Sequence, residues 1–315
     1  MHPAKSVILF TTASGAGYGL LAWLGILAGL GQLPAGRWFA LAAFGLGLGL
    51  VVLGLLSSML HLGHPERAWR ALSQWRSSWL SREGVAAVLT FLPVGLFAVL
   101  WLAAPSGGGL TAALGLLASV FCLATVACTA MIYASLRTIR AWRSAWTLPV
   151  YLVLALMSGA VLLNLLLQAW GLPLAGSFAW VALLLLAAGA AVKLLYWRDV
   201  AAAGDSSAES ATGLGGDGGK VRLLEAPHSE SNYLMQEMGF AVARKHSAKL
   251  RCIALAAGFA APFLLIALGQ ALPGGIAAAA LAAAILAGLG LAIERWLFFA
   301  EAKHVVTLYY GESRA

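Results

Sequence analysis

The sequence predicts an all-α integral membrane protein, a bundle of eight transmembrane helices, and three observations predict it. Of 315 residues, 61% are hydrophobic and only 10% charged, against roughly 25% charged in a soluble domain. Mean hydropathy is +0.87, which is more apolar surface than a soluble domain of this length can hide. The apolar residues also fall into runs of about 20, the length that crosses a bilayer.

In order, the predicted spans cover roughly 7–30, 38–60, 84–104, 110–132, 148–171, 174–196, 251–272 and 274–299 of one membrane domain over 1–315. Residues Met1–Lys5 lead straight into the first, so no cleavable signal is expected. Pro34-Ala35-Gly36, Pro105-Ser106-Gly107, Gly171-Leu172-Pro173 and Pro273-Gly274 mark tight turns. The connections 61–83, 133–147 and 197–250 are longer and polar. Glycine pairs four apart (Gly15/Gly19, Gly25/Gly29, Gly45/Gly49) suit close helix packing in lipid. Gly15 to Gly19 superficially matches a dinucleotide loop, but it lies inside a span with no preceding strand.

The formal net charge of +8 has a membrane explanation. With eight spans, both termini and all three long connections share one side. Of 20 Lys and Arg only Arg37 falls in a turn on the other, and all 12 Asp and Glu and all six His go with the charged side or the span ends reaching it. Positive-inside bias therefore predicts a cytoplasmic charged face and cytoplasmic termini, not a nucleic-acid partner. Chemistry and partner docking are expected on that face.

Several function classes are disfavoured. Bis-histidine haem needs His inside the spans, whereas His2, His61, His64, His228, His246 and His304 cluster at the charged face. The deep polar residues, mainly Thr125, Thr129, Ser158, Asn164 and Gln168, make a poor proton wire for a pump. Inverted repeats and broken helices, the marks of a secondary transporter, are not evident. Cys122, Cys128 and Cys252 lie in apolar stretches without metal-ligand spacing.

The densest polar segment runs from His61-Leu62-Gly63-His64-Pro65-Glu66-Arg67-Ala68-Trp69-Arg70 to Trp79-Leu80-Ser81-Arg82-Glu83. Pro65 opens a predicted interfacial amphipathic helix whose stripe is Trp69, Leu72, Trp75 and Trp79. His61 ends the second span and Glu83 begins the third, at the same depth. One reading is structural, a His at a helix C-terminus and a Glu in a first turn capped by Ser81. The other is a quinone site, where a titratable His and a carboxylate exchange protons with a ring that takes two electrons. His61 and His64 alone are too few ligands for a metal.

The long connection divides. Residues 200–219 are of low complexity and predicted flexible. Residues 229–251 are predicted amphipathic, either a helix on the lipid surface or a docking surface for a soluble partner built on Tyr233, Met238, Phe240, Arg244, Lys245 and His246.

These segments resemble a known family. His2 to Thr12 with Ser14-Gly15-Ala16-Gly17, Met59 to Ala68, Trp79 to Glu83, and Asn232-Tyr233-Leu234 through His246 are similar to the membrane-anchor subunits of dimethyl sulfoxide reductase-type complexes. The resemblance implies an anchor that holds neither haem nor metal and exchanges electrons between membrane quinone (menaquinone or ubiquinone) and an iron–sulfur subunit. A molybdopterin catalytic subunit is the implied third member, so the iron–sulfur clusters and the molybdenum cofactor belong to partners. His61 and Glu83 map onto the implied quinone site, with His64, Arg67, Trp69, Arg70 and Arg82 expected at its mouth. A cytoplasmic charged face matches the sulfite dehydrogenase branch, which reduces quinone as sulfite is oxidised. The alternatives are a quinol-oxidising reductase anchor and a purely structural docking subunit.

Overall fold

A computed structural model describes residues 4–60, 62–104, 108–214, 219–225, 227, 245–271, 276–312 and 314–315. Among these, eight helices are long and apolar enough to cross a membrane: α1 (Lys5–Gly29), α2 (Arg37–Met59), α3 (Trp79–Ala103), α4 (Gly109–Ala134), α5 (Thr147–Ala169), α6 (Leu174–Ala202), α7 (Ser247–Ala271) and α8 (Ile276–Ala300). Large side chains such as Leu92, Val99 and Leu184 stay exposed along the spans, the lipid-facing surface of a bundle whose backbone bonds are satisfied within each helix.

Three helices depart from their expected bounds by four residues or more: α7 starts at Ser247 and not at 251, and α3 and α6 differ for a visible local reason. α3 begins at Trp79, five residues before the predicted start, because Ser78 rather than Ser81 caps it, accepting from the Ser81 N–H at 3.5 Å. α6 runs on to Ala202, and its last turns are held from the side. The Ser144 hydroxyl donates to Asp199 at 2.6 Å, and the Arg251 guanidinium covers the Trp197 ring at 5.2 Å.

α1 lies at the centre, packed against α2, α4, α5 and α8, while α5 and α8 join it to α6 and α7. Glycine permits this proximity at two crossings. A Cβ on Gly19 would overlap the Ala155 carbonyl of α5, and one on Gly25 would overlap the Gly115 carbonyl of α4. Hydrogen bonds tie the same seams, from Trp23 Nε1 to the Leu156 carbonyl at 2.9 Å and from Ser119 Oγ to the Ala22 carbonyl at 2.7 Å. Gly15, Gly45 and Gly49 contact nothing in this way; the pairs four apart are thus not uniformly packing motifs. α7 contains a π-turn at Ala256–Ala260, where Gly258 packs against Gly290 of α8.

On the charged side, the connector after α2 is a 3-10 helix, Pro65–Gln74. Residues three apart stack in that geometry, which puts Trp69, Leu72 and Trp75 on one line. Trp79 belongs instead to the first turn of α3. Ser207 caps a short helix, Ala208–Thr212, which Gly213 ends at φ 70°. The C-terminus closes onto the α6 end: Ser206 and Ala315 exchange backbone hydrogen bonds, and Lys303 pairs with Asp205 at 2.7 Å.

Candidate functional site

The capped first turn of α3 turns Glu83 toward α4, where it is buried. Its Oε1 accepts a short hydrogen bond, 2.5 Å, from the Thr129 hydroxyl, which also reaches the Thr125 carbonyl at 3.1 Å. Two turns deeper, the Thr90 and Thr125 hydroxyls pair at 3.0 Å across the same seam. Among the described residues, no cation forms an ion pair with Glu83.

Thr129 is also a wall of a small cavity of about 30 Å³ between α1, α4, α5 and α8, room for one or two waters. Tyr18, Tyr151, Ser158 and Arg295 line it with Thr129. The Tyr18 hydroxyl is buried with no hydrogen-bond partner among the described residues, a state that native interiors rarely leave unexplained.

Arg295 is held from behind. Glu294 accepts from its Nε at 2.5 Å and from its Nη2 at 2.7 Å, and Glu294 also pairs with Lys193 of α6. All three are buried. Aromatic faces complete their shell: the Arg295 guanidinium lies 4.3 Å from the Tyr151 ring centroid and 4.8 Å from that of Phe298, and Lys193 Nζ lies 4.0 Å from Tyr196. The carboxylate bridges two cations, so the cluster carries one net positive charge inside the bundle.

Beside the small cavity lies a larger apolar cleft of about 460 Å³, walled by α1, α2, α5 and α8. Thr12, Ala16, Ser158 and Leu291 line both spaces.

Similarity to known proteins bears on this arrangement. Residues 1–301 match the family model described as DMSO reductase anchor subunit (DmsC). The protein belongs to that anchor family. It is 34% identical to the sulfite dehydrogenase C subunit of Allochromatium vinosum over 338 residues, covering 98% of this chain and 99% of that one. It is also 34% identical to the C subunit of anaerobic dimethyl sulfoxide reductase from Escherichia coli K12 over 144 residues, 43% of this chain and 46% of that one.

Among the described residues, those that the sequence singles out in this anchor stand in different surroundings. Glu83 is inside. His61 lies outside the described residues, as do Tyr233, Met238, Phe240 and Arg244. His64 is exposed and meets Glu66 at 3.0 Å, and Arg67 approaches the same carboxylate at 3.6 Å. Arg70 covers the exposed Trp69 ring at 5.5 Å. Arg82 donates to the Trp75 and Arg76 carbonyls at 2.9 and 2.7 Å, clamping the connector to the start of α3, and the Ser81 hydroxyl donates to the Ala71 carbonyl. Lys245 and His246 are exposed just before α7. Among the described residues, no group of three or more His, Cys, Asp or Glu could hold a metal.

Lys193, Glu294 and Arg295 do not stand out in the one-sided charge pattern, because they fall near the charged-side ends of their spans. Their immediate context held the signal. Each side of Ala191-Val192-Lys193-Leu194-Leu195 and of Leu291-Ala292-Ile293-Glu294-Arg295-Trp296-Leu297 is apolar, and ionisable residues flanked this way face a bundle interior. Tyr18 carried no comparable signal, since a tyrosine among Gly and Leu also reads as packing.

Proposed function

We propose that this protein is the quinone-reactive anchor of a multi-subunit oxidoreductase. It passes electrons between an iron–sulfur subunit and membrane quinone, while a molybdopterin subunit performs the substrate chemistry. The observation that carries the reading is the buried Glu83–Thr129 pair. It is a carboxyl group near the charged-face end of its span that meets a neutral hydroxyl beside a water-sized cavity. Quinone reduction consumes two protons with two electrons, so a carboxyl reachable from the charged face and free to change charge is what the chemistry requires.

The near full-length similarity to a sulfite dehydrogenase subunit supports electron flow toward quinone from sulfite. The Arg-rich connections support a cytoplasmic charged face in an inner membrane. The partial similarity to a dimethyl sulfoxide reductase subunit favours a second reading, quinol oxidation feeding a reductase.

The test uses membranes carrying the assembled complex with His61→Arg or Glu83→Gln. Both variants are expected to lose at least tenfold in quinone-linked turnover while retaining electron transfer from the catalytic subunit to a soluble dye. Normal quinone-linked rates in both would leave the protein as a structural anchor.

A further inference from the structure

The apolar cleft and the small cavity beside it have complementary chemistry. The cleft's walls are almost wholly aliphatic, from Lys5 at the charged-face end of α1 to Leu53 of α2 and Gly288 of α8. Its polar side chains apart from Lys5 are Thr12 and Ser158, both on the wall shared with the small cavity. Those two hydroxyls already donate to the Ile8 and Leu154 carbonyls, at 2.7 and 2.8 Å, so their oxygens face the space as acceptors. Donors wait on the other side. The Tyr18 hydroxyl has no partner among the described residues, and Glu294 engages Nε and Nη2 of Arg295 but not Nη1.

We infer that this cleft is where the quinone ring binds, its apolar tail among the lipid-facing wall residues of α2 and α8 and one ring oxygen at the Thr12–Ser158 end. The inference rests on the quinone exchange proposed above and gives it a location distinct from the exposed connector. A carbonyl oxygen needs donors and a quinol hydroxyl needs acceptors. The small cavity offers Tyr18 and Arg295, through the water it has room for, for the first state, and the junction offers Thr12 and Ser158 for the second. In the reductive direction two electrons from the iron–sulfur subunit and two protons convert both ring carbonyls to hydroxyls. Glu83 supplies one proton, to the near oxygen, through Thr129 and the water-sized cavity; the Lys5 ammonium at the charged-face end of the cleft supplies the second, to the far oxygen, and both groups are recharged from the charged face. Glu83 thus serves the ring without touching it. The cleft volume lies within the range of small-molecule sites, and its mouth faces lipid, from which a quinone arrives.

Two substitutions fill the cleft from its lipid side. A Cβ on Gly288 meets nothing within 4 Å, so Gly288→Leu projects into open space, and Leu53→Trp enlarges an exposed wall residue. Leu56→Trp, on the same helix and exposed but outside the cleft, is the control. The probe is a fluorescent hydroxyquinoline N-oxide, a quinol analogue, titrated into membranes containing the assembled complex. Both cleft variants are expected to raise its apparent Kd at least tenfold, with Leu56→Trp within twofold of the unsubstituted complex. Tyr18→Phe is expected to keep the Kd but slow quinone-linked turnover about tenfold, with dye-linked turnover unchanged. If the unsubstituted complex binds the probe and the two filled variants bind it equally well, the ring sits elsewhere and the location is wrong. If the unsubstituted complex neither binds the probe nor turns over quinone, the parent proposal fails with it.

Discussion

Two carboxyl groups are buried at similar depth, one in each half of the bundle, and they are held in opposite ways. Glu83 on α3 and Glu294 on α8 each stand about 27–30 Å of helix from the far end of their span, at 1.5 Å per residue. Glu294 lies between Lys193 and Arg295, with aromatic rings closing the shell. Glu83 is bonded to one threonine hydroxyl. A carboxylate between two buried cations cannot change charge without stranding them, whereas one that meets a neutral hydroxyl can. The difference separates a fixed electrostatic scaffold, which positions Arg295, from a group able to exchange a proton.

The two carboxyl groups are expected to differ most in what they contribute to stability. Glu294→Gln leaves two buried cations without their counter-charge and is expected to destabilise the complex by about 3–5 kcal/mol. Glu83→Gln keeps an acceptor for Thr129 and is expected to lose about 1–2 kcal/mol. Thermal unfolding of the detergent-solubilised complex measures both. An equal fall in Tm would mean that Glu83 is as much a structural charge as Glu294.

A pair of threonine substitutions isolates the Glu83 contact from the packing of its seam. Thr129→Val removes the Glu83 partner and should lower quinone-linked turnover about tenfold with a stability loss of about 1–3 kcal/mol. Thr90→Val, deeper on the same seam, should show a similar stability loss and near-normal turnover. If both slow turnover alike, the seam acts through packing and not through Glu83.

The smallest effect concerns the charged-face tail. The Val306 N–H donates to His304 Nδ1 at 3.0 Å, which requires a neutral ring nitrogen, and desolvation holds the His304 pKa below its ordinary value of 6.5. A depressed histidine pKa means that the unfolded tail binds the proton first. The contribution is therefore complete above about pH 6.5 and is lost as pH falls through the range below it. Protease cleavage within 301–315 should rise about threefold between pH 7 and pH 5.5, and His304→Gln should flatten the dependence.

The all-helical class, the number of spans and the family were legible in the sequence. Hydrophobic run length and charge sorting are one-dimensional properties, and the lipid solvent enforces them directly. Glu83 was legible as a candidate because the sequence places it beside the polar connector where a span begins. Its partner was not, because Thr129 is 46 positions away and becomes its neighbour only where α3 meets α4. The interfacial stripe was legible as a spacing of three, but the 3-10 geometry that aligns Trp69, Leu72 and Trp75 was not.

Run length and motif alone thus specify an eight-span membrane bundle of the anchor family. Only the tertiary structure decided which polar groups meet inside it. Lys193, Glu294 and Arg295 come from two helices, and the cavity and the cleft from four each. In a bilayer each helix satisfies its own backbone wherever it stands, so helix formation does not dictate which helices are neighbours. That choice falls to packing, to glycines such as Gly19 and Gly25 that let helices approach, and to buried charges that must find one another.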